Sequence, residues 1–452
     1  MRILILATDI YTRGGVARYT ATLAAALSGL PAHVDVLPLL GDSRLRGNRD
    51  EIRGQSSSLE GSYRILTPTT NRLTLSAKVR HAVRALRQAG SRYDLVICSH
   101  LSQALIAAMI RLRHATPYMV VAHGSEAWGR LPTVKRLALR RARAVLAVSV
   151  YTARTLAGVH RIPPARVKVI YNAIPDELVQ ALTSGRGGPW GRPAQPRGLL
   201  LQPGESGRPQ ARLLQPMLLS VASLKPEHAY KGVDTVIQAL PQIAAAVPEV
   251  RYVVAGAGDD RARLERLAST LGVRDRVIFA GEVSDAKLAS LYHASEAFVL
   301  PSRTSQRESV RGEGEGFGRV YVEAALAGKP VVGSTDGGAA EAVLAGRTGL
   351  LVDPRSVTGV ASAVIRLLQS PDCATSLGAE GRRWALERFT VAAMRRALAH
   401  VLCEDLQLRE SVVRRPVSVV RGASAGRVGP TTNAPPRLTT DNGQLTQLTT
   451  DH

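Results

Sequence analysis

Short apolar runs alternate with longer amphipathic segments along most of the chain. Each apolar run has the length of a buried strand, and each amphipathic segment repeats its apolar residues at helical spacing. In the first half the predicted strands are 2–7, 34–39, 95–98, 118–122, 144–148 and 167–170, with helices at 16–27, 77–88, 103–111 and 134–143. Such alternation predicts a parallel sheet with helices on both faces.

The pattern breaks once and then resumes. Residues 183–216 hold Gly, Pro, Arg and Gln with little apolar surface to bury, which predicts a linker or insertion. Beyond it the predicted strands are 217–222, 251–255, 277–280, 297–300, 330–333 and 350–352, with helices at 233–246, 261–271, 285–294, 320–327, 378–387 and 391–402. The polar segment 41–61 is expected to be a mobile loop.

We therefore expect an α/β protein with two doubly wound, Rossmann-like domains that face a cleft. The predicted domains are an amino-terminal domain at 1–182 and a carboxy-terminal domain at 217–405. The last helix is expected to pack back on the first domain, and 406–452 to form a disordered tail because its composition buries little.

Glycine pairs follow several predicted strands, at 14–15, 256–258, 316–318 and 337–338. Parallel α/β sheets bind ligands beyond the carboxyl ends of their strands, so these loops predict sites along the cleft. The loop that begins at Glu315 leads into a helix that carries Glu323. Free N–H groups at the helix start suit a phosphate, and the two carboxylates suit hydroxyl groups. Phosphate and hydroxyl groups occur together in a nucleotide sugar.

An ordered series of segments resembles the retaining GT-B glycosyltransferases of the group 1 (family four) type. In the second half these are 231–234 (KGVD), 255–258 (AGAG), 276–281 (RVIFAG), 299–302 (VLPS), 315–318 (EGFG) with 323–324, 328–332 (GKPVV), 337–338 with Glu341, and 348–354 (TGLLVDP). In the first half they are 14–19 (GGVARY), 148–149 and 169–174 (VIYNAI). The resemblance covers nearly the whole chain apart from the linker and the tail.

The resemblance implies that the domain at 1–182 is the acceptor side and that the domain at 217–405 binds the nucleotide sugar. It also implies roles for individual residues. Glu323 is expected to bind the ribose hydroxyls, Glu315 a hydroxyl of the donor sugar, and Lys231 the diphosphate. The remaining implied contacts are to the phosphates or to the base, at Gly14, Gly15, Gly316, Phe317, Gly318 and Val283. The structural alternatives are that Glu315 caps the helix and that Glu323 faces solvent.

A histidine ends one first-half strand on the predicted cleft. His123 is expected to assist near the transferred sugar, although a histidine at a strand end is often a structural hydrogen bonder. Glu126 either orients His123 or contacts the acceptor. For His100, at the end of another strand, we favour a structural role.

One departure from the family pattern concerns the phosphates. The family carries an arginine where this chain has Ser223, which supplies no charge. We predict that Lys225 or Arg303 replaces it. The charged loop from Arg303 to Glu313 is either a lid that orders on donor binding or a surface insertion.

The composition limits the partners. The net charge is +23, and the stretches 61–93 and 127–175 hold many basic residues and no acidic one. This excess suggests peripheral contact with an anionic membrane or a phosphorylated lipid, or simply a solvated basic face. No nucleic-acid motif accompanies it, so no nucleic-acid partner is expected. Three widely spaced cysteines, no leader pattern and no long apolar run indicate a cytoplasmic protein, at most at the inner face of the membrane.

The sequence therefore predicts transfer of a sugar from a nucleoside-diphosphate sugar to a glycan or lipid-linked acceptor, with retention, in polysaccharide or glycolipid synthesis. No cofactor and no metal site is expected. One alternative is another GT-B-like activity, such as a nucleotide-sugar epimerase. The other is a catalytically weak basic adaptor that binds membrane or nucleic acid.

Overall fold

Seven parallel strands form the first sheet, in the order β3-β2-β1-β4-β5-β6-β7. They are β1 (Arg2–Ala7), β2 (His33–Pro38), β3 (Arg64–Ile65), β4 (Leu95–Cys98), β5 (Tyr118–Ala122), β6 (Ala144–Ala147) and β7 (Val167–Val169). The six predicted strands are confirmed to within one residue at each end. The pattern missed β3, because two residues are too short to show an alternation.

The computed structural model describes residues 1–11, 14–41, 63–70, 73–90, 92–184, 200–203, 209–212, 215–304 and 313–406. The loop predicted at 41–61 and the tail predicted from 406 lie almost wholly outside these residues.

Helices on both faces of this sheet complete what we call the first lobe. They are α1 (Gly15–Ser28), α2 (Leu75–Gln88), α3 (Ala104–His114), α4 (Ser125–Trp128), α5 (Thr133–Arg141), α6 (Val150–His160) and α7 (Asp176–Thr183). The sequence pattern did not indicate α6, whose β-branched residues and Gly158 weaken its periodicity. Its start is nevertheless encoded, because Ser149 Oγ accepts from the Thr152 N–H as an N-cap.

Six parallel strands form the second sheet, in the order β12-β11-β10-β13-β14-β15. They are β10 (Met217–Val221), β11 (Arg251–Ala255), β12 (Val277–Gly281), β13 (Ala297–Val299), β14 (Val331–Ser334) and β15 (Gly349–Val352). The segment 183–216 contains an antiparallel hairpin of β8 (Leu200–Pro203) and β9 (Pro209–Arg212).

The helices of the second lobe alternate with these strands. They are α8 (Val233–Ala246), α9 (Arg261–Thr270), α10 (Asp285–Ala294), α11 (Arg319–Leu326), α12 (Ala339–Ala342), α13 (Val357–Gln369) and α14 (Pro371–Arg388), followed by α15 (Val391–Leu406). Both sheets are parallel, so the predicted α/β class with two doubly wound domains is confirmed.

Strand alternation buries both faces of the first sheet. In β1, Ile3 and Ile5 join one apolar cluster while Leu4 and Leu6 join another. Successive side chains of a strand point to opposite faces, so a continuous apolar run is what a sheet covered on both sides requires.

The two lobes are tied together at the end of the chain. The N–H of Ile174 in the first lobe donates to the carbonyl of Phe389 at 2.8 Å. Helix α15 packs against α1 and carries Glu404, whose carboxylate lies 3.0 Å from Lys168 Nζ. The carboxy-terminal helix therefore belongs spatially to the first lobe.

Candidate active site

A cleft of about 690 Å³ opens where the carboxyl ends of strands from both lobes meet. The first lobe contributes the start of α1, and the second contributes the loops after β10, β11 and β12 and the start of α11. Besides Ser223, six residues that the sequence predicted for the site line it: Gly14, Gly15, Lys225, Lys231, Val283 and Glu323.

Glu323 points inward from α11 rather than to solvent, with 4% of its surface exposed. The hydroxyl of Tyr292 donates to its Oε2 at 3.0 Å. Burial, and then the Glu323 charge, raise the pKa of Tyr292 well above its usual value, so this hydroxyl remains a donor. The carboxylate is held in place at the cleft and can accept from ligand hydroxyls.

Lys231 ends a short 3₁₀ helix, Pro226–Lys231, and its ammonium group forms an ion pair with Glu315. The two side chains are 18% and 13% exposed. Burial alone would lower the pKa of Lys231, but the Glu315 carboxylate outweighs it and raises the pKa above its usual value. Lys231 therefore stays charged beside the cleft, where it can meet an anion.

The glycine loop after Glu315 contacts the first lobe directly. A β-carbon built on Gly316 would lie 1.9 Å from the carbonyl oxygen of His123. Only a residue without a side chain allows this approach. The structure thus connects Lys231, Glu315, Gly316 and His123 in one continuous series of contacts across the two lobes.

The imidazole of His123 is oriented by its neighbours. Its Nε2 lies 2.7 Å from the carbonyl oxygen of Ser99, so that nitrogen carries the proton. The ring packs edge-on against Tyr19 and stacks on His100. Glu126 accepts from the His123 backbone N–H at 2.6 Å, which agrees with the orienting alternative for that residue.

His100 has the structural contacts that we favoured. Its Nδ1 accepts from the Ser102 N–H at 3.1 Å and so caps the 3₁₀ turn Leu101–Gln103. Burial lowers its pKa below the usual value, which favours the neutral ring that this acceptor role needs.

Phe317 and Gly318 were expected to offer backbone N–H groups to an anion, and neither is among the residues that line the cleft. Phe317 is buried in an aromatic cluster with Tyr171 and Phe389, where it joins the lobes. Gly318 has φ 89° and begins α11 as its N-cap. The left-handed backbone that turns the loop into the helix explains the glycine at this position.

Arg303 is directed away from the cleft. Its Nη2 donates to both carboxylate oxygens of Asp234, at 2.9 and 3.0 Å, and to the Ala229 carbonyl. Of the two predicted replacements for the missing arginine, only Lys225 lines the cleft. Residues 305–312 of the predicted lid or insertion lie outside the described residues.

Two arginines that the sequence pattern missed do line the cleft, Arg18 of α1 and Arg319 of α11. Arg18 Nη2 lies 2.5 Å from Asp285 Oδ1, which joins α1 to the start of α10 across the lobes. Arg319 lies four residues before Glu323, with Nη2 3.6 Å from its Oε1. That i,i+4 spacing from the predicted ribose ligand was the available signal.

A second carboxylate also bridges the lobes. Glu341 of α12 accepts from the backbone N–H groups of Val150 and Tyr151, at 2.7 and 2.6 Å. These N–H groups lie at the start of α6, where a negative charge is stabilised by the helix dipole.

The first lobe has two further pockets beside the cleft. An apolar groove of about 720 Å³ lies between α2 and α3 and shares Gly14 and Gly15 with the cleft. A polar pocket of about 620 Å³ includes Glu126, Arg130 and Lys135. The groove and the polar pocket share His100, Ser102 and Lys135.

Solved structures of glycosyltransferases share this fold. HepE of Anabaena in complex with UDP and glucose matches with a TM-score of 0.64 and 21% identity, over 89% of this chain and all of that one. Sucrose-phosphate synthase of Thermosynechococcus elongatus matches with a TM-score of 0.66 and 21% identity, over 90% of this chain and all of that one. The class that the architecture defines is GT-B.

Family models match both lobes. Residues 13–178 match "Glycosyltransferase Family 4" and residues 207–384 match "Glycosyl transferases group 1". The GDP-mannose-dependent alpha-(1-6)-phosphatidylinositol monomannoside mannosyltransferase of Mycobacterium tuberculosis is 34% identical over 311 residues, 67% of this chain and 73% of the relative. The chain belongs to the group 1 glycosyltransferases, and the predicted enzyme class is confirmed.

The same-named enzyme of Mycolicibacterium smegmatis is 35% identical over 200 residues. That alignment covers 44% of this chain and half the length of the relative. Among the described helices, none has the length and apolar character of a membrane span.

Proposed function

We propose that this glycosyltransferase moves a sugar from a nucleoside-diphosphate sugar to a hydroxyl of a lipid-linked or glycan acceptor, with retention of configuration. The observation that carries the proposal is that the buried carboxylate of Glu323 and the charged side chain of Lys231 line the same cleft. A carboxylate for ribose hydroxyls and a cation for a diphosphate are the two contacts that such a donor needs.

The donor side works by meeting the charge that develops on the departing diphosphate. Lys231 and Lys225 supply cations, and the backbone N–H groups at the start of α1, beside Gly15, supply oriented dipoles. Such groups are held in place before reaction and need no reorganisation in the transition state. Glu315, already paired with Lys231, would contact a hydroxyl of the transferred sugar with its remaining acceptor positions.

Retention is proposed through attack on the face from which the diphosphate leaves. Glu315 is engaged by Lys231, which makes it a poor covalent nucleophile. His123 stands at the lobe contact with its Nε2 proton held by the Ser99 carbonyl, and its role would be to support the sugar hydroxyls and the developing positive charge through its polar ring. The diphosphate itself would accept the proton of the attacking hydroxyl.

The first-lobe pockets support an amphiphilic acceptor. The apolar groove meets the cleft at Gly14 and Gly15, and large apolar side chains on its two helices are exposed, among them Leu75, Val79 and Met109. The polar pocket that joins it carries Arg130 and Lys135, which suit an anionic headgroup. The acceptors named for the mycobacterial relatives are phosphatidylinositol mannosides, which combine the same two chemistries. We therefore propose action at an anionic membrane surface.

Two measurements test the proposal. Thermal unfolding with UDP-, GDP- and ADP-sugars should show stabilisation by one class, with GDP-mannose the first to try. With that donor, vesicles containing phosphatidylinositol or its mannosides should yield labelled lipid, whereas vesicles of neutral lipid should not. Absence of stabilisation by every donor would reject the donor assignment, and transfer only to water-soluble glycans would reject the lipid acceptor.

A further inference from the structure

Arg319 is a buried arginine with two donor atoms unpaired in the described part of the chain. It is the first residue of α11, lines the cleft, and its side chain is 11% exposed. Two of its donor atoms, Nε and Nη2, are buried with no hydrogen-bond partner among the described residues. Since buried polar groups are nearly always hydrogen-bonded, this guanidinium indicates a ligand acceptor.

Its surroundings do not satisfy it. Glu323 Oε1, at 3.6 Å, is beyond hydrogen-bond distance. Burial lowers the pKa of Arg319, and the charge of nearby Arg18 adds to this effect while Glu323 opposes it. Arg18 is itself paired with Asp285 across the lobes. An anion placed between these arginines would satisfy the free donors and remove the repulsion between the two cations.

The helix geometry indicates which anion. Residues i and i+4 lie on one face of a helix, separated by a rise of about 6 Å. If Glu323 takes the ribose hydroxyls, as the proposed function requires, Arg319 lies one turn closer to the positive end of α11. The 5′-phosphate of a nucleotide stands on the far side of the ribose from its 2′- and 3′-hydroxyls, at a comparable distance.

We propose that Arg319 donates hydrogen bonds to the α-phosphate of the donor and supplies the charge that Ser223 lacks. Ser223 lines the same cleft, two residues after the end of β10. The cation that this family carries at that strand end is thus relocated to the first turn of α11. The inference rests on the proposed function, because it takes the cleft to be the donor site.

The test is calorimetric titration of the full-length protein with a nucleoside, its monophosphate and its diphosphate, using the base that stabilises the wild type. Arg319→Gln should weaken the monophosphate and the diphosphate by about 10- to 100-fold. It should leave nucleoside affinity within about twofold, because the nucleoside carries no phosphate. The matched control is Arg251→Gln, because Arg251 lies at the amino end of β11, away from the cleft. This variant should bind the nucleoside, the monophosphate and the diphosphate with wild-type affinity.

Two further variants keep the result interpretable. Ser223→Arg, added to Arg319→Gln, should restore at least half of the lost diphosphate affinity, on a logarithmic scale, by returning a cation to the loop after β10. If Arg319→Gln folds poorly, Arg319→Lys provides a second test. It keeps the positive charge at this position and should retain measurable diphosphate binding.

Three outcomes would overturn the inference. Unchanged diphosphate affinity in Arg319→Gln would mean that Arg319 does not bind the phosphate, and an equal loss for nucleoside and diphosphate would mean that Arg319 only supports Glu323. Failure of Ser223→Arg to restore binding would mean that charge is not what was lost. A wild-type protein that binds no nucleoside diphosphate would instead reject the proposed function itself, and the inference with it.

Discussion

Gly316 and His123 meet so closely across the two lobes that a β-carbon on Gly316 would stand 1.9 Å from the His123 carbonyl oxygen. The residue before Gly316 is Glu315, which is paired with Lys231 at the cleft. Contacts therefore connect three residues in series: Gly316 at the lobe contact, Glu315 as the proposed sugar-binding residue, and Lys231 as the proposed phosphate-binding residue. A displacement at any of them should be felt at the others.

Replacing Gly316 with alanine should separate the loop from the first lobe, because a backbone carbonyl cannot yield as a flexible side chain does. We expect the turnover rate, measured as release of nucleoside diphosphate from the sugar donor, to fall about a hundredfold, because a displacement of about 1 Å at a reacting group has an effect of that size. Gly158→Ala is the matched control, since nothing lies within 4 Å of its β-carbon. It should stabilise α6 by up to about 1 kcal/mol and leave turnover unchanged. Normal turnover in Gly316→Ala would contradict the contact.

The Lys231–Glu315 pair should be separable into a stability part and a binding part. Lys231→Met leaves a mostly buried carboxylate unpaired and should lower the free energy of unfolding in urea by about 2 kcal/mol. Adding Glu315→Gln removes that charge, so the double variant should regain at least half of the loss. Diphosphate binding should stay weak in both. A double variant that loses the sum of the two single effects would show that the residues act independently.

Glu341 should hold the lobes together through the start of α6. Glu341→Ala removes the carboxylate that accepts from the N–H groups of Val150 and Tyr151, and it should lower the free energy of unfolding by about 1–2 kcal/mol. Burial first, and then Glu341, raise the pKa of Tyr171 to about 12, so the same change should bring the Tyr171 titration to a lower pH. The control is the same substitution at exposed Glu249, just before β11, which should leave the free energy of unfolding and the Tyr171 titration unchanged. Wild-type stability in Glu341→Ala would exclude the bridge.

Acid should destabilise the protein through His81, which is fully buried on α2 and hydrogen-bonded to Thr69. Burial, helped by the Arg84 charge, lowers the pKa of His81 to about 4, against about 6.5 in an unfolded chain. Between these values the unfolded state binds more protons, so the free energy of unfolding falls as the pH falls through this window. Between pH 7.5 and 5.0, His81 should account for a decrease of about 2 kcal/mol in the free energy of unfolding. Urea unfolding of His81→Leu at both pH values should show a correspondingly smaller loss, and an unchanged difference would contradict the assignment.

Much of the fold was predictable because the strands are buried on both faces. Runs such as the one in β1 need no alternation to be recognised, and their ends fall where the apolar run meets polar residues or glycine. Among the elements that were missed, β3 is only two residues long, and α6 and α13 contain β-branched residues and glycine, which have weak helix propensity and form helices here through tertiary packing.

The site was predictable only as far as strand ends and glycine loops define it. Lys231 and Glu323 reach the cleft because Lys231 ends the 3₁₀ helix that follows β10, and Glu323 lies in the helix that follows β13 and its glycine loop. The pairing of Arg18 with Asp285 joins residues 267 positions apart, and no local pattern announces it. Arg303 was misplaced for a related reason, because only the folded chain shows that Asp234 is available to bind it.

The most direct test of the central claim is calorimetric titration of the wild type and Glu323→Ala with the nucleoside-diphosphate sugar that stabilises the protein. If the cleft is the donor site, the wild type binds one donor per chain. In Glu323→Ala that affinity should fall at least about a hundredfold while the fold, by circular dichroism, stays intact. Equal donor affinity in the two proteins would contradict the account.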